Sequence, residues 1–97
     1  MDKRFWVYMV TDKPYGTLYA GVSSDLCRRA YEHRAGIYKG FSKRYGLKML
    51  VYYEEYPTAL EGIAREKQIK AWNRAWKIEL IERSNPYWNA IYSGIVG

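Results

Sequence analysis

Ninety-seven residues, nearly half hydrophobic and 18% aromatic, suffice for one packed domain and leave no room for a second core. No stretch approaches the roughly 20 apolar residues of a membrane span, and the opening MDKRFW has no signal-peptide character, so a cytoplasmic protein without a membrane partner is expected. Sixteen Lys and Arg against ten Asp and Glu give a formal charge of +6, which favours a polyanionic partner. A single cysteine and a single histidine argue against an internal disulfide or a zinc site.

Phe5, Val7 and Met9 alternate with Trp6, Tyr8 and Val10, the two-residue period of a strand. Asp12 to Gly16 contains a proline and a glycine and reads as a turn. Leu18, Ala20 and Val22 then alternate with Thr17, Tyr19 and Gly21 in a second strand. With the turn centred between Lys13 and Pro14, Tyr8 faces Tyr19, Val7 opposes Ala20 and Met9 opposes Leu18. This register gathers the aliphatic residues on one face and both tyrosines on the other; a one-residue slip would undo it. Gly21 lies on the tyrosine face, where its missing side chain leaves space for a backbone or a ligand.

A helix follows, with Ser24 as its cap and Asp25 complementing its dipole. It should end near Ala35, with Gly36 in the left-handed conformation. Leu26, Ala30 and Cys27 are expected on its core side. Arg29 and His33, at i and i+4, share a face, although Arg29 is equally spaced for a surface pair with Asp25.

From Arg28 to Lys48 there are seven Lys or Arg residues and one acid, Glu32. Within this segment, Gly36 to Gly46 reads as a mobile basic loop. Lys39, Lys43 and Arg44 suit phosphates, and Tyr38, Phe41 or Tyr45 suit base stacking. A solvated loop with an aromatic tucked into the core fits the same residues. Leu47 to Tyr53 is a third strand. Thr58-Ala-Leu-Glu61 is a capping box that opens a second helix. Leu60, Ile63, Ala64 and Ala71 are its expected apolar stripe. Glu66 lies at the edge of that stripe, on the side of Ala59 and Gly62, where it either pairs with Lys70 or serves as a metal ligand. A third helix runs from the cap Asn73 to about Glu82, with Trp72, Trp76 and Leu80 inward. Asn85-Pro86 reads as a cap and first-turn proline opening a short final helix. The tail SGIVG is expected to be frayed or on the surface.

The run VYMV followed by LYAG, with Arg29 ten residues after Tyr19 and His33 four further on, resembles the GIY-YIG nuclease family. The first signature stands here as Trp6-Val7-Tyr8 and the second as Tyr19-Ala20-Gly21. The tyrosines and the last glycine match literally. Trp6 replaces the usual glycine, which bears on packing around Tyr8. Small stand-alone members share the run Asp25, Leu26, Arg29, Glu32 and His33. The similarity continues through Ala64, Glu66, Ile69 and Lys70 to Asn85-Pro86.

The resemblance implies an α+β fold over residues 1–97. Its three-stranded antiparallel sheet is flanked by helices in the order β-β-α-β-α-α, with a short C-terminal helix. It also implies metal-dependent hydrolysis of phosphodiester bonds in nucleic acid, DNA more than RNA. Mg²⁺ or Mn²⁺ would be held by Glu66 and waters, with Arg29 on the phosphate. Tyr8 would orient or activate the attacking water, Tyr19 would contact the metal's water shell, and His33 would relay a proton or touch a phosphate. Asn85 is the candidate for a family asparagine that follows the glutamate, at a longer spacing than usual. Gly21, Lys39, Lys43, Arg44, Tyr45 and Lys70 complete the expected nucleic-acid contacts. Two other readings are a nucleic-acid-binding module without turnover and a basic adaptor for an acidic protein. A monomer or weak homodimer is expected.

Overall fold

The computed structural model describes residues 4–92, so the tail SGIVG lies outside the described residues. Three strands, β1 (Phe5–Thr11), β2 (Leu18–Ser23) and β3 (Met49–Tyr56), form an antiparallel sheet in the order β2-β1-β3. The helices are α1 (Leu26–Arg34), α2 (Phe41–Arg44), α3 (Ala59–Ala71) and α4 (Arg74–Ser84). This is the expected order with one addition, since the segment read as a mobile loop contains α2. No helix among the described residues is long and apolar enough to cross a membrane.

The hairpin register is two residues off the expected one. Tyr8 pairs with Gly21, Val7 with Val22, Met9 with Ala20, and Val10 with Tyr19, so Tyr8 does not face Tyr19. The turn is centred one residue later, between Pro14 and Tyr15. A slip of two preserves the faces, because the side-chain period is two. Val7, Met9 and Ala20 are buried on one face with Val51, Ile69, Leu80 and Ile81. Tyr8 and Val10 are buried on the other with Leu26, Ala30, Leu47 and Leu50. The sheet is therefore a middle layer, with α3 and α4 below it and α1 above.

Several local expectations change. Asp25, not Ser24, caps α1, accepting from the Arg28 amide at 3.1 Å. Gly36 is left-handed as expected, at φ 74°. Cys27 faces outward. The stripe expected on α3 is its outer face: Leu60 is 80% exposed, and Ile63, Ala64 and Ala71 are exposed too. The packed face carries Gly62 and Ile69, with Arg65 and Glu66 half-buried between them. Charge is tolerated there because Arg65 forks onto Glu54 of β3, at 2.9 and 3.0 Å. The Tyr56 hydroxyl donates to Glu54 at 2.7 Å, and the Tyr52 hydroxyl donates to it as well. Burial opposes the ionised Glu54 carboxyl, but these donors hold its pKa below the ordinary value. A Cβ on Gly62 would sit 3.3 Å from Phe5 and Val22, so this glycine lets α3 lie close on β1 and β2.

Trp76 is exposed, not inward, and Ile81 takes the buried place beside Leu80. Asn85 ends α4 instead of opening a helix, and Pro86 and Tyr87 form a turn. The sheet explains why Asn85 is buried. Met9 pairs with Tyr52 and Val10 with Leu50, so a bulge leaves Val51 out of the ladder. The Asn85 side-chain amide donates to the freed Val51 carbonyl at 3.0 Å and to the Asn89 carbonyl at 2.9 Å. Its oxygen accepts from the Asn89 amide at 3.0 Å.

Candidate active site

The site grows from β1 and α1. Tyr8 is 1% exposed, although its ring stands on the strand face that carries the chemistry. Its partner across the hairpin, Gly21, makes this possible: a Cβ there would lie 2.5 Å from the Tyr8 oxygen. The space foreseen at Gly21 is thus filled by the Tyr8 ring itself. Trp6 packs beside Tyr8 in the same cluster, so the altered first signature still gives a well-packed phenol.

The Tyr8 oxygen lies 3.0 Å from Nε2 of His33, about two turns into α1 and 2% exposed. The other ring nitrogen, Nδ1, lies 2.8 Å from the Ser42 hydroxyl of α2. Tyr38 packs against the imidazole at 4.5 Å between centroids, and Tyr19 lies at 6.0 Å. Arg29 donates to the Tyr38 hydroxyl at 2.8 Å and to Glu32 at 3.0 Å, and its guanidinium lies 4.4 Å above the Tyr38 ring. The i, i+4 pair with Asp25 is replaced by the pair with Glu32.

Glu66 comes from the opposite layer. It is on α3, below the sheet, and it meets the tyrosine face at the edge strand β2. Lys70, one turn further along α3, holds its ammonium 5.3 Å from the Tyr19 ring centroid and 3.6 Å from the Glu66 carboxylate. The expectation of a single face is corrected to a rim where two layers meet.

Burial raises the cost of ionising the phenols and the imidazole. It pushes the Tyr8 phenol well above its ordinary range, with Tyr19 and Tyr38 adding to the shift and Arg29 opposing it. Tyr19 is pushed up to about 12 by burial, then by Tyr38 and the charge of Glu66. His33 is pushed down to about 4, chiefly by burial and then by Arg29, against the pull of Glu32. At neutral pH the Tyr8 phenol and the His33 ring are therefore both uncharged.

Two basic clefts flank these residues. One, of about 580 Å³, is lined by His33, Tyr38, Ser42, Lys43, Arg44 and Lys48, among others. The other, of about 330 Å³, runs along β2 past Tyr19, Phe41, Lys70 and Lys77. Helix α2 divides them: Phe41 stacks on Tyr19 at 6.2 Å, while the next residue, Ser42, reaches His33.

The residue pattern and the fold meet in one comparison. The family model of the GIY-YIG catalytic domain matches residues 4–79. This chain belongs to the GIY-YIG family. Among its relatives is a UPF0213 protein of Staphylococcus epidermidis, 37% identical over 82 residues, covering 84% of this chain and 98% of that one. A UPF0213 protein of Staphylococcus saprophyticus is 36% identical over 81 residues, covering 84% and 96%. The fold is also that of the solution structure of a UPF0213 protein from Bacillus halodurans, with TM-score 0.56 and 23% identity over 90% of this chain and 92% of that one. GIY-YIG membership implies a nuclease-type fold and nucleic-acid binding.

Within this GIY-YIG domain, Tyr8, Tyr19, Gly21, Arg29 and His33 are brought together, with Glu66 and Lys70 joining through Tyr19. Lys43, Arg44 and Tyr45 line the larger cleft, and Lys39 is exposed close by in the chain. Asn85 is not brought to the cluster: its amide is committed to Val51 and Asn89. Sequence reasoning missed Ser42, Lys48 and Lys77 as site residues. Lys77 carries no signal beyond its charge, and Ser42 sits in a glycine-rich segment whose pattern has no period to read.

Proposed function

We propose that the protein is a divalent-metal-assisted endonuclease that hydrolyses phosphodiester bonds in DNA. The observation that carries this reading is the buried Tyr8–His33 pair, with Arg29 beside it, set between two basic clefts. A polyanion crossing α2 from one cleft to the other passes over Tyr19 and Arg29, with Lys43, Arg44 and Lys48 on one side and Lys70 and Lys77 on the other.

GIY-YIG nucleases generally use divalent metal ions. Among the described residues, no group of three or more His, Cys, Asp or Glu gathers to hold one. Glu66 still fits a hard cation that keeps most of its waters. Among the described residues its half-buried carboxylate is ion-paired with Lys70 alone, at 3.6 Å, leaving acceptor capacity at the rim. Mg²⁺ or Mn²⁺ held by Glu66 would supply Lewis-acid polarisation of a phosphoryl oxygen.

The chain's own groups supply the rest. Arg29 offsets charge developing on the phosphate. Tyr8 is not a resident phenolate, so it acts as a relay: its oxygen takes a proton from the attacking water as its own proton passes to Nε2 of His33. The water oxygen bonds to phosphorus as the bond to the leaving oxygen breaks. A phosphate beside Arg29 also offsets the positive field that holds His33 neutral, raising its proton affinity at that moment. Tyr19, more exposed than Tyr8, orders the water shell at the mouth.

The test is nicking of supercoiled plasmid with Mg²⁺ or Mn²⁺, comparing the wild type with Glu66→Ala and Arg29→Ala. Loss of nicking by about 10²-fold or more is expected in each variant. Equal activity in both variants and the wild type would refute this site.

A further inference from the structure

Ser42 has no place in the reading above, yet it is 3% exposed and its hydroxyl is 2.8 Å from the ring nitrogen of His33 that Tyr8 does not use. We propose that Ser42 is a positioning residue: it accepts the Nδ1–H of His33 and thereby keeps Nε2 unprotonated, aimed at the Tyr8 phenolic proton.

The donor count selects this arrangement. The buried Tyr8 phenol needs an acceptor for its proton. Nε2 of His33, at 3.0 Å, is the acceptor beside it. A neutral imidazole that accepts at Nε2 carries its proton at Nδ1, and the group there is the Ser42 hydroxyl. The opposite tautomer would leave the buried Tyr8 proton without a partner. Ser42 lines the larger basic cleft and Tyr8 lines neither, so of the two hydroxyls that of Ser42 lies nearer to solvent and is the one whose proton can go without a protein acceptor.

The surroundings leave Ser42 this role. His33 is faced by Tyr8 from β1, Tyr19 from β2, Arg29 and Glu32 from its own helix, and Tyr38 from the segment after it. None of these bonds Nδ1. Helix α2 is also fixed for the task. The Leu47 amide donates to the Ser42 carbonyl at 2.8 Å, and Phe41 stacks on both Tyr19 and Tyr45. Four residues of helix thus carry one side chain to the back of the imidazole.

The chain has one histidine, so its two ring nitrogens can be read without assignment ambiguity. Long-range ¹H–¹⁵N NMR at pH 7 is recorded for the wild type, Ser42→Thr and Ser42→Val. The last two share size and branching and differ in the hydroxyl, so the Thr variant controls for packing. A fixed Nδ1–H tautomer in the wild type and the Thr variant, replaced by tautomer averaging in the Val variant, is the expected result. An Nε2–H wild type, or a Val variant with an unchanged Nδ1–H tautomer, overturns the proposal.

The kinetic half of the test rests on the nuclease reading; the spectroscopic half does not. In the nicking assay, kcat should fall about tenfold or more in Ser42→Val with KM little changed, and recover in Ser42→Thr. A Val variant with wild-type kcat overturns the positioning role. A wild type that does not nick at all defeats the nuclease reading, while the tautomer still decides what Ser42 does to His33.

Discussion

The two faces of the sheet are built on opposite principles, although one strand supplies both. Below β1, Val7 and Met9 meet Ile69, Leu80 and Ile81 in a dry apolar layer. Above it, Tyr8 meets His33 and then Ser42 in a buried polar line. Apolar burial stabilises without direction, so the lower face holds the fold together whatever small adjustments it makes. The upper face needs each donor matched to an acceptor, and a polar group that loses its partner there costs more than it contributed. Along β1, stability and chemistry are therefore separable by face, even at neighbouring positions.

Four substitutions or conditions probe that separation. Ile69→Ala empties the lower layer at a fully buried position and should cost about 2–5 kcal/mol in a urea titration. Nicking per folded molecule should be retained at low temperature. Gly21→Ala acts on the upper layer by driving a methyl group into the Tyr8 phenol. Unfolding should show a loss of about 1–3 kcal/mol, with a disproportionately greater loss of activity.

Acid should reach the upper layer next. Folding holds the His33 pKa down at about 4, against 6.5 for the free side chain. Its contribution is therefore complete above pH 6.5 and is lost as the pH falls towards 4, because the unfolded chain takes up the proton first. Urea midpoints measured across that window should fall by the equivalent of at most about 2–3 kcal/mol, and His33→Gln should flatten the slope. The smallest effect belongs to Asn85→Ala, which removes the partner of the bulge carbonyl and should cost about 1–2 kcal/mol. If Asn85 is a bulge clamp and nothing more, nicking survives. Collapse of activity in a stably folded Asn85→Ala protein would return it to the reaction.

Strand alternation was legible for both sheet faces because a period of two survives any even slip, which is why the wrong hairpin register still placed Tyr8 and Tyr19 correctly. The caps at Thr58 and Asn73 were legible because the signal is local: each accepts from an amide three residues on. The packed side of α3 was misread because Leu60 and Ile63 look like core, whereas Gly62 and Arg65 do not. Only the tertiary partners of those two residues, the β1–β2 surface and Glu54, make theirs the inner face. Glu66 was nevertheless placed on that side. Asn85 was misjudged because its partner, a bulge in β3, is invisible without strand pairing. Ser42 could not be found because contact with His33 depends on where a four-residue helix lands.

At the hairpin tip, Tyr15 has φ 59° and stacks 4.9 Å from Trp88, itself at φ 57°. Glu82 takes hydrogen bonds from both rings, and Arg74 donates to the Gly16 carbonyl 58 positions away at 2.7 Å. The turn is thus locked by residues up to 67 positions further along the chain. Long sequence separation slows such closure, so the two strands can pair well before their tip is fastened.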